Sequence, residues 1–322
     1  MHPVLRLACA VLAAVALLTA CSPNVDTTRS VAGRNTVTGQ PEGNTAAMDP
    51  AFTETKLRLV DPCALLDDKL LAAVGTPDGK PHGDPFQGCK AQVTVDDVQN
   101  TVTVTLGDAV PEWDRDALSL AGMRVLEARQ TGSCTDKAVT QASPTRAVVV
   151  RAEVKGGEPC AVARQVLTGV IARIRTAPPR VPMGSSVMAG QDPCLLVDRA
   201  TIFAIVPGGD PKRDSESLYD CAWRQKGVTL EVYGKIGSDP SVAGFDAAPT
   251  PVDLGGGVTA YRSDTSAGYP SCTLKWADRP MADGVGEIVT VYVANGQKLP
   301  DFDTCAKAVV AGKIVVANLP KS

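Results

Sequence analysis

Apolar residues alternate with polar ones along several short stretches. Ala91, Val93 and Val95 do so, and so do Val102, Val104 and Leu106, whose other face is Thr101, Thr103 and Thr105. A period of two marks a half-buried strand. The segment from Asp96 to Asn100 between these two runs predicts a hairpin turn. Further strands are expected over 122–129, 134–140 and 146–154. Later in the chain Val228, Leu230 and Val232 alternate on one strand, and Val289, Val291 and Val293 on another. The helical period shows elsewhere: at Leu65, Leu66, Leu70, Ala73 and Val74, and at Val162, Val166, Val170 and Ile174. Helices are also expected from Pro193 and from Cys305 to Pro320. Asp61 and Asp192 suit the N-cap, where a carboxylate accepts from free amides. Pro62 and Pro193 suit the next position, which needs no amide partner.

The order of these elements repeats, and cysteines mark the repetition. When Cys63 is laid on Cys194, Cys89 falls near Cys221, Cys134 near Cys272 and Cys160 near Cys305. The fourth cysteine of each set opens a similar helix, CAVARQVLTGVIARI in one copy and CAKAVVAGKIVVANL in the other. The chain therefore reads as two copies of one domain, at 56–177 and 188–322, with a Pro-rich linker over 178–187. The fold class is α+β: two tandem disulfide-stapled domains, each a mostly antiparallel sheet with helices at both ends of the repeat.

An even number of cysteines in an exported chain predicts a disulfide framework. Pairing of neighbours is the first expectation: Cys63 with Cys89, Cys134 with Cys160, Cys194 with Cys221, and Cys272 with Cys305. A nested pairing is the alternative. A structural metal site is not expected, because Cys-x-x-Cys is absent and His82 is the single histidine past the first twenty residues.

The export itself is read from the start of the chain. Residues 1–20 carry Arg6 and then LACAVLAAVALL, an apolar run of signal-peptide length. The run ends in Leu18-Thr19-Ala20-Cys21, which looks like a bacterial lipobox and implies lipidation of Cys21 and cleavage before it. Residues 21–55 hold few large apolar side chains and are expected to form a flexible tether. The net charge of −3 becomes −4 once Arg6 is removed, which gives no footprint for nucleic acid.

These residues resemble a known family. Actinobacterial lipoproteins and exported proteins of the domain of unknown function 3558 family open on Pro-Cys-x-Leu-Leu. A Cys-x-Trp strand, a later third cysteine and a Cys-led helix ending near Leu-Pro follow. Pro193-Cys194-Leu195-Leu196, Cys221-Ala222-Trp223, Cys272, and Cys305 through Leu319-Pro320 match that pattern. The first copy matches at Pro62-Cys63-Ala64-Leu65-Leu66 and Cys160. It departs at Cys89-Lys90-Ala91, which lacks the tryptophan, and at Ala177-Pro178-Pro179. The resemblance implies no activity.

The remaining chemistry is sparse. No nucleophile elbow, phosphate-cradling loop or His-Glu-x-x-His motif occurs. His82 is expected in a solvated loop, Asp67-Asp68 on a solvated helix face, and Trp223 and Trp276 in the core or at an edge, with a ligand platform as their alternative. Gly255-Gly256-Gly257 is expected to be a flexible loop. No catalytic, cofactor-binding or metal-binding residue is assigned, and an enzyme is not expected. The expected protein is a lipoprotein on the extracytoplasmic face of the cell membrane, held by lipid on Cys21. Its role would be binding, with an envelope protein or a small molecule as partner and a cleft between the copies as one place for it. The alternatives are a structural or chaperone-like subunit of an envelope complex and an enzyme with an unfamiliar site.

Overall fold

The computed structural model describes residues 49–110, 117–182, 186, 188–242, 250–265, 268–281 and 284–320. The expected signal segment, Cys21 and most of the expected tether lie outside the described residues. Both repeats fall within one compact unit that begins at Ala46.

In the first repeat α1 (Glu54–Leu57), α2 (Pro62–Leu65) and α3 (Asp68–Leu71) are single turns. They lead into β1 (Thr76–Asp84), β2 (Gly88–Val95), β3 (Val98–Ala109), β4 (Ala117–Leu120), β5 (Met123–Gln130), β6 (Ser133–Ala142) and β7 (Thr145–Glu153). The repeat closes with α4 (Pro159–Thr176). In the second, a 3-10 turn at Pro193–Leu195 and α5 (Arg199–Ile205) come first. The strands are β8 (Lys212–Asp214), β9 (Asp220–Gln225), β10 (Val228–Ser238), β11 (Thr250–Gly255), β12 (Val258–Thr265), β13 (Ser271–Pro280) and β14 (Val285–Asn295), and α6 (Thr304–Asn318) follows.

The strand orders are β1-β2-β3-β7-β6-β5-β4 and β8-β9-β10-β14-β13-β12-β11. Each is a three-strand meander joined to a four-strand meander along the last strand of each, with every pair antiparallel. One connectivity in two sheets is the tertiary counterpart of the repeated cysteine order.

The register matches the alternation in the sequence. Ala91 faces Val102 and Cys89 faces Val104, while Leu230 faces Val293 and Val232 faces Val291. These apolar positions point toward the closing helix of their repeat. There Val166, Leu167, Val170, Ile171 and Ile174 of α4, and Ala308, Ala311 and Val315 of α6, are buried. The β2–β3 turn is shorter than expected: Asp96 and Asp97 alone make it, with φ of 48° and 60°. Two left-handed residues match the twist of a tight hairpin, so Asn100 already belongs to β3.

The opening of each repeat also departs from a single continuous helix. Asp61 accepts from the amides of Cys63 and Ala64, and α2 ends one turn later. Asp67 then caps a fresh turn by accepting from Leu70 N at 2.9 Å, and it pairs with Arg173 at 2.7 Å. Asp67 is therefore a half-exposed cap and ion-pair partner, and Asp68 is exposed as expected. The second repeat does the same: Asp192 accepts from Cys194 N, and Asp198 accepts from Thr201 N to start α5. Asp-Pro-Cys followed four residues later by Asp is thus a double cap, which interrupts the apolar run instead of extending it.

Four disulfides join neighbours within each repeat: Cys63–Cys89, Cys134–Cys160, Cys194–Cys221 and Cys272–Cys305. The first of each pair ties the double-cap turn to the second strand, and the other ties the closing helix to the sheet. Trp223 and Trp276 lie in the second core at 4 and 1 % exposure, so neither offers a ligand platform. His82 is exposed, as expected of a solvated residue, but it sits in edge strand β1 opposite Lys90. Gly255 ends β11 and the remaining two glycines make the tight turn into β12, all three with positive φ.

Phe52, placed in the tether, is 2 % exposed and lies under the guanidinium of Arg175, so the folded chain already includes it. The linker is pinned: Asp61 N donates to Pro179 O and Val181 N to Leu59 O, each near 3 Å. Four disulfides are the mark of an oxidising, extracytoplasmic setting. Among the described residues no helix is long and apolar enough to cross a membrane.

Candidate functional site

The two repeats meet through one loop of the second and the opening segment of the first. The loop runs from Ser215 to Tyr219, between β8 and β9. Asp220 holds it by accepting from the amides of Glu216 and Ser217, both at 2.7 Å. Its tip enters the core of the first repeat. Leu218 and Tyr219 are 1 and 2 % exposed there, and Phe86 meets the Tyr219 ring edge-on with centroids 4.8 Å apart. Ala109 N donates to Glu216 O at 2.8 Å. Gly107 makes room: a Cβ there would lie 2.3 Å from Leu218 Cγ, and its φ of +72° independently favours glycine.

Arg58 fastens this junction. It follows α1 and is 5 % exposed. Its Nε donates to Leu218 O at 3.0 Å, and its own carbonyl accepts from the Tyr219 hydroxyl at 3.0 Å. Its Nη2 lies 3.1 Å from Glu54 Oε2 and 3.3 Å from Asp192 Oδ1. One guanidinium therefore pairs with a carboxylate from each repeat, which offsets the cost of burying its charge. Burial pushes the Tyr219 hydroxyl well above its usual range, so it stays a neutral donor.

Beside this junction lies a cavity of about 400 Å³ with walls from both repeats. The first repeat supplies Glu54, Arg58 and Arg146, and the second supplies Asp192, Lys212 and Arg213. Arg146 stands at the start of β7 and is 3 % exposed. Its Nη1 donates to Gly107 O at 3.1 Å. Its Nε has no hydrogen-bond partner and lies 3.5 Å from Glu54 Oε1. Lys212 and Arg213 come from edge strand β8 and are exposed.

The like position in the second repeat carries the opposite charge. Arg146 pairs across the sheet with Gln141, and Glu287 pairs with Arg279; Gln141 and Arg279 stand equally far beyond Cys134 and Cys272. Glu287 is fully buried and accepts from Ser186 Oγ at 2.9 Å and from Met188 N. Each of these two residues reaches the segment that enters its own repeat: Arg146 toward Glu54, and Glu287 toward 186–188. Glu287 accepts from Ser186 and Met188, whereas Arg146 faces Glu54 through an Nε that makes no hydrogen bond.

A second group of charges sits under α4. Asp136 is fully buried on β6, and its Oδ2 has no hydrogen-bond partner. Burial first, and the neighbouring Glu127 second, push its carboxyl up to about 6. Burial also works against the charge of Glu127. Hydrogen bonds from Arg164 and Arg129, both at 2.7 Å, outweigh it and hold Glu127 below its usual range. The position after Cys272 that matches Asp136 holds Leu274, so nothing in the fold requires an acid there. Glu127, Cys134 and Cys160 lie close enough to share an ion, but both sulfurs are committed to a disulfide and offer no thiolate.

The eight disulfide cysteines are thus brought together in the pairs expected first, and Cys21 lies outside the described residues. Of the cavity residues, the sequence singled out only Asp192, as a cap, and Cys194, as a disulfide partner, and neither for a site. The spacing of Glu54 and Arg58 does hint at an i,i+4 ion pair. Asp192, Lys212 and Arg213 are far along the chain, and only the docking of the two repeats brings them near.

The outward face of the second sheet also differs from the first. Register places Tyr233, Tyr261 and Tyr292 there, where the first sheet has Thr105, Leu126 and Arg151.

No family model matches the chain, and no curated protein matches it. Among solved structures, the di-domain ARO/CYC StfQ from the steffimycin biosynthetic pathway is 12 % identical, over 81 % of this chain and 92 % of that one, with a TM-score of 0.14. DynU16, from the dynemicin biosynthetic locus, is 10 % identical, over 77 and 89 % of the two chains, with a TM-score of 0.13. Likeness at this level carries no argument about fold or function.

Proposed function

We propose that the chain is an exported lipoprotein of the domain of unknown function 3558 type, anchored by lipid on Cys21, that acts as a non-catalytic binding module. The cavity with walls from both repeats carries this reading. Neither copy has the site alone, so duplication creates it. A concave site at a domain junction, with a few convergent polar groups, is a common place for a small ligand. Its walls are charged rather than apolar, which favours a polar ligand over a lipid tail. The lipobox-like Leu18-Thr19-Ala20-Cys21 and the four disulfides support an anchored, extracytoplasmic protein.

Two measurements test the two halves of the reading. Native mass spectrometry of the chain extracted from membranes should find a small molecule bound to the parent and lost in Ser143→Trp, which fills the rim of the cavity. A parent that carries no ligand, or a variant that keeps it, sinks the binding role. Cys21→Ser should abolish membrane retention; unchanged retention removes the anchor.

A further inference from the structure

The charges of the junction cavity do not balance, and the imbalance names a ligand class. Three acids line it. Glu54 is shared between Arg58 and Arg146. Asp192 pairs with Arg58 and also accepts from Cys194 N at 3.0 Å. Asp214 pairs at 2.7 Å with Arg224, which is not part of the wall. Every acid is therefore engaged. The cations are less fully matched: Lys212 and Arg213 make no ion pair among the described residues, and the buried Arg146 has only the shared Glu54, 3.5 Å from its Nε, with no hydrogen bond made at that atom. A cavity wall that carries unpaired ammonium and guanidinium groups beside a buried guanidinium suits a planar or tetrahedral oxyanion.

We infer that the junction cavity binds a small oxyanion, a carboxylate or a phosphate group, through Arg146, Lys212 and Arg213. This inference rests on the binding role proposed above and adds the chemistry of the ligand. Arg146 supplies a buried guanidinium to the wall from the first repeat. Lys212 and Arg213 supply charge at the mouth from the second. Arg58 pairs with Glu54 and Asp192 and donates to Leu218 O, so it holds the wall in place. Because the two contributions come from different repeats, bound anion also cross-links the copies.

The test is calorimetric titration of the full lipidated chain in detergent with inorganic phosphate, glycerol 3-phosphate and succinate, at fixed ionic strength. At least one should bind saturably. Lys212→Gln/Arg213→Gln should weaken it about tenfold or more, in line with the loss of charge-assisted hydrogen bonds, with the unfolding midpoint unchanged. Arg146→Lys, which keeps the charge and loses the fork, should weaken it as well. Preference for glycerol 3-phosphate assigns a headgroup-like phosphoester, preference for phosphate a free ion, and preference for succinate a carboxylate. Saturable binding that the double variant leaves intact would overturn the site. Failure of all three anions would overturn the inference. A neutral sugar or a polyamine bound in their place, and lost in Ser143→Trp, would do so while leaving the binding role standing.

Discussion

Asp136 shows how much a single residue departs from what its surroundings favour. Its folded pKa, about 6, lies above the value of an unfolded aspartate. The folded state therefore holds the proton more tightly. Its contribution to stability is complete below pH about 4 and is lost as pH rises through about 6. Asp136→Asn should be more stable than the parent above pH 7, by roughly 2 kcal/mol, and should converge with it in acid. Denaturant unfolding across that pH range measures the difference, and parallel curves for the two proteins would contradict the assignment. Arg58 is the opposite case, a buried charge fully paired. Arg58→Ala strands Asp192, leaves Glu54 to Arg146 alone, and should cost about 3 kcal/mol in the same assay. A loss below about 1 kcal/mol would mean that the pair is no more than surface decoration.

The elements behave as capped and stapled units. Asp67→Ala removes the second cap of the opening motif and should cost about 1 kcal/mol, read from the unfolding midpoint. The Cys272–Cys305 bridge closes a loop with a sequence separation of 33. Replacing both cysteines by alanine should cost about 3–4 kcal/mol in the chain-entropy account, and non-reducing peptide mapping of the parent should recover all four neighbour pairs. At this scale most of the fold was legible. Period-two alternation located β2, β3, β10 and β14, because a half-buried strand cannot hide its parity, and strands were also expected where β5, β6 and β7 lie. The opening helices were misjudged for an equally local reason. Leu65, Leu66 and Leu70 keep a helical spacing, but Asp67 competes for the amide of Leu70 and restarts the chain. The signal was present as a second aspartate at the same distance in both copies. The Phe52 boundary was harder: one aromatic in a polar stretch says nothing until Arg175 and the first core are in place.

The molecule as a whole is coupled through the loop that the second repeat inserts into the first. Gly107→Ala combines a left-handed backbone position with a Cβ driven into Leu218, and should loosen this contact. Calorimetry should then turn one unfolding transition into two. A single transition in the variant, at an unchanged midpoint, would show that the repeats do not depend on the contact. The amino-acid sequence alone determined the duplication, the matching order of the cysteines and the strand parity. All of these are set by neighbours or by a pattern that recurs along the chain. The tertiary structure decided the junction. Burial of Leu218 and Tyr219, the two-sided pairing of Arg58 and the unmatched cations around the cavity depend on groups that are remote in the chain. Their energies arise only when both repeats are folded and docked, so no local pattern could carry them.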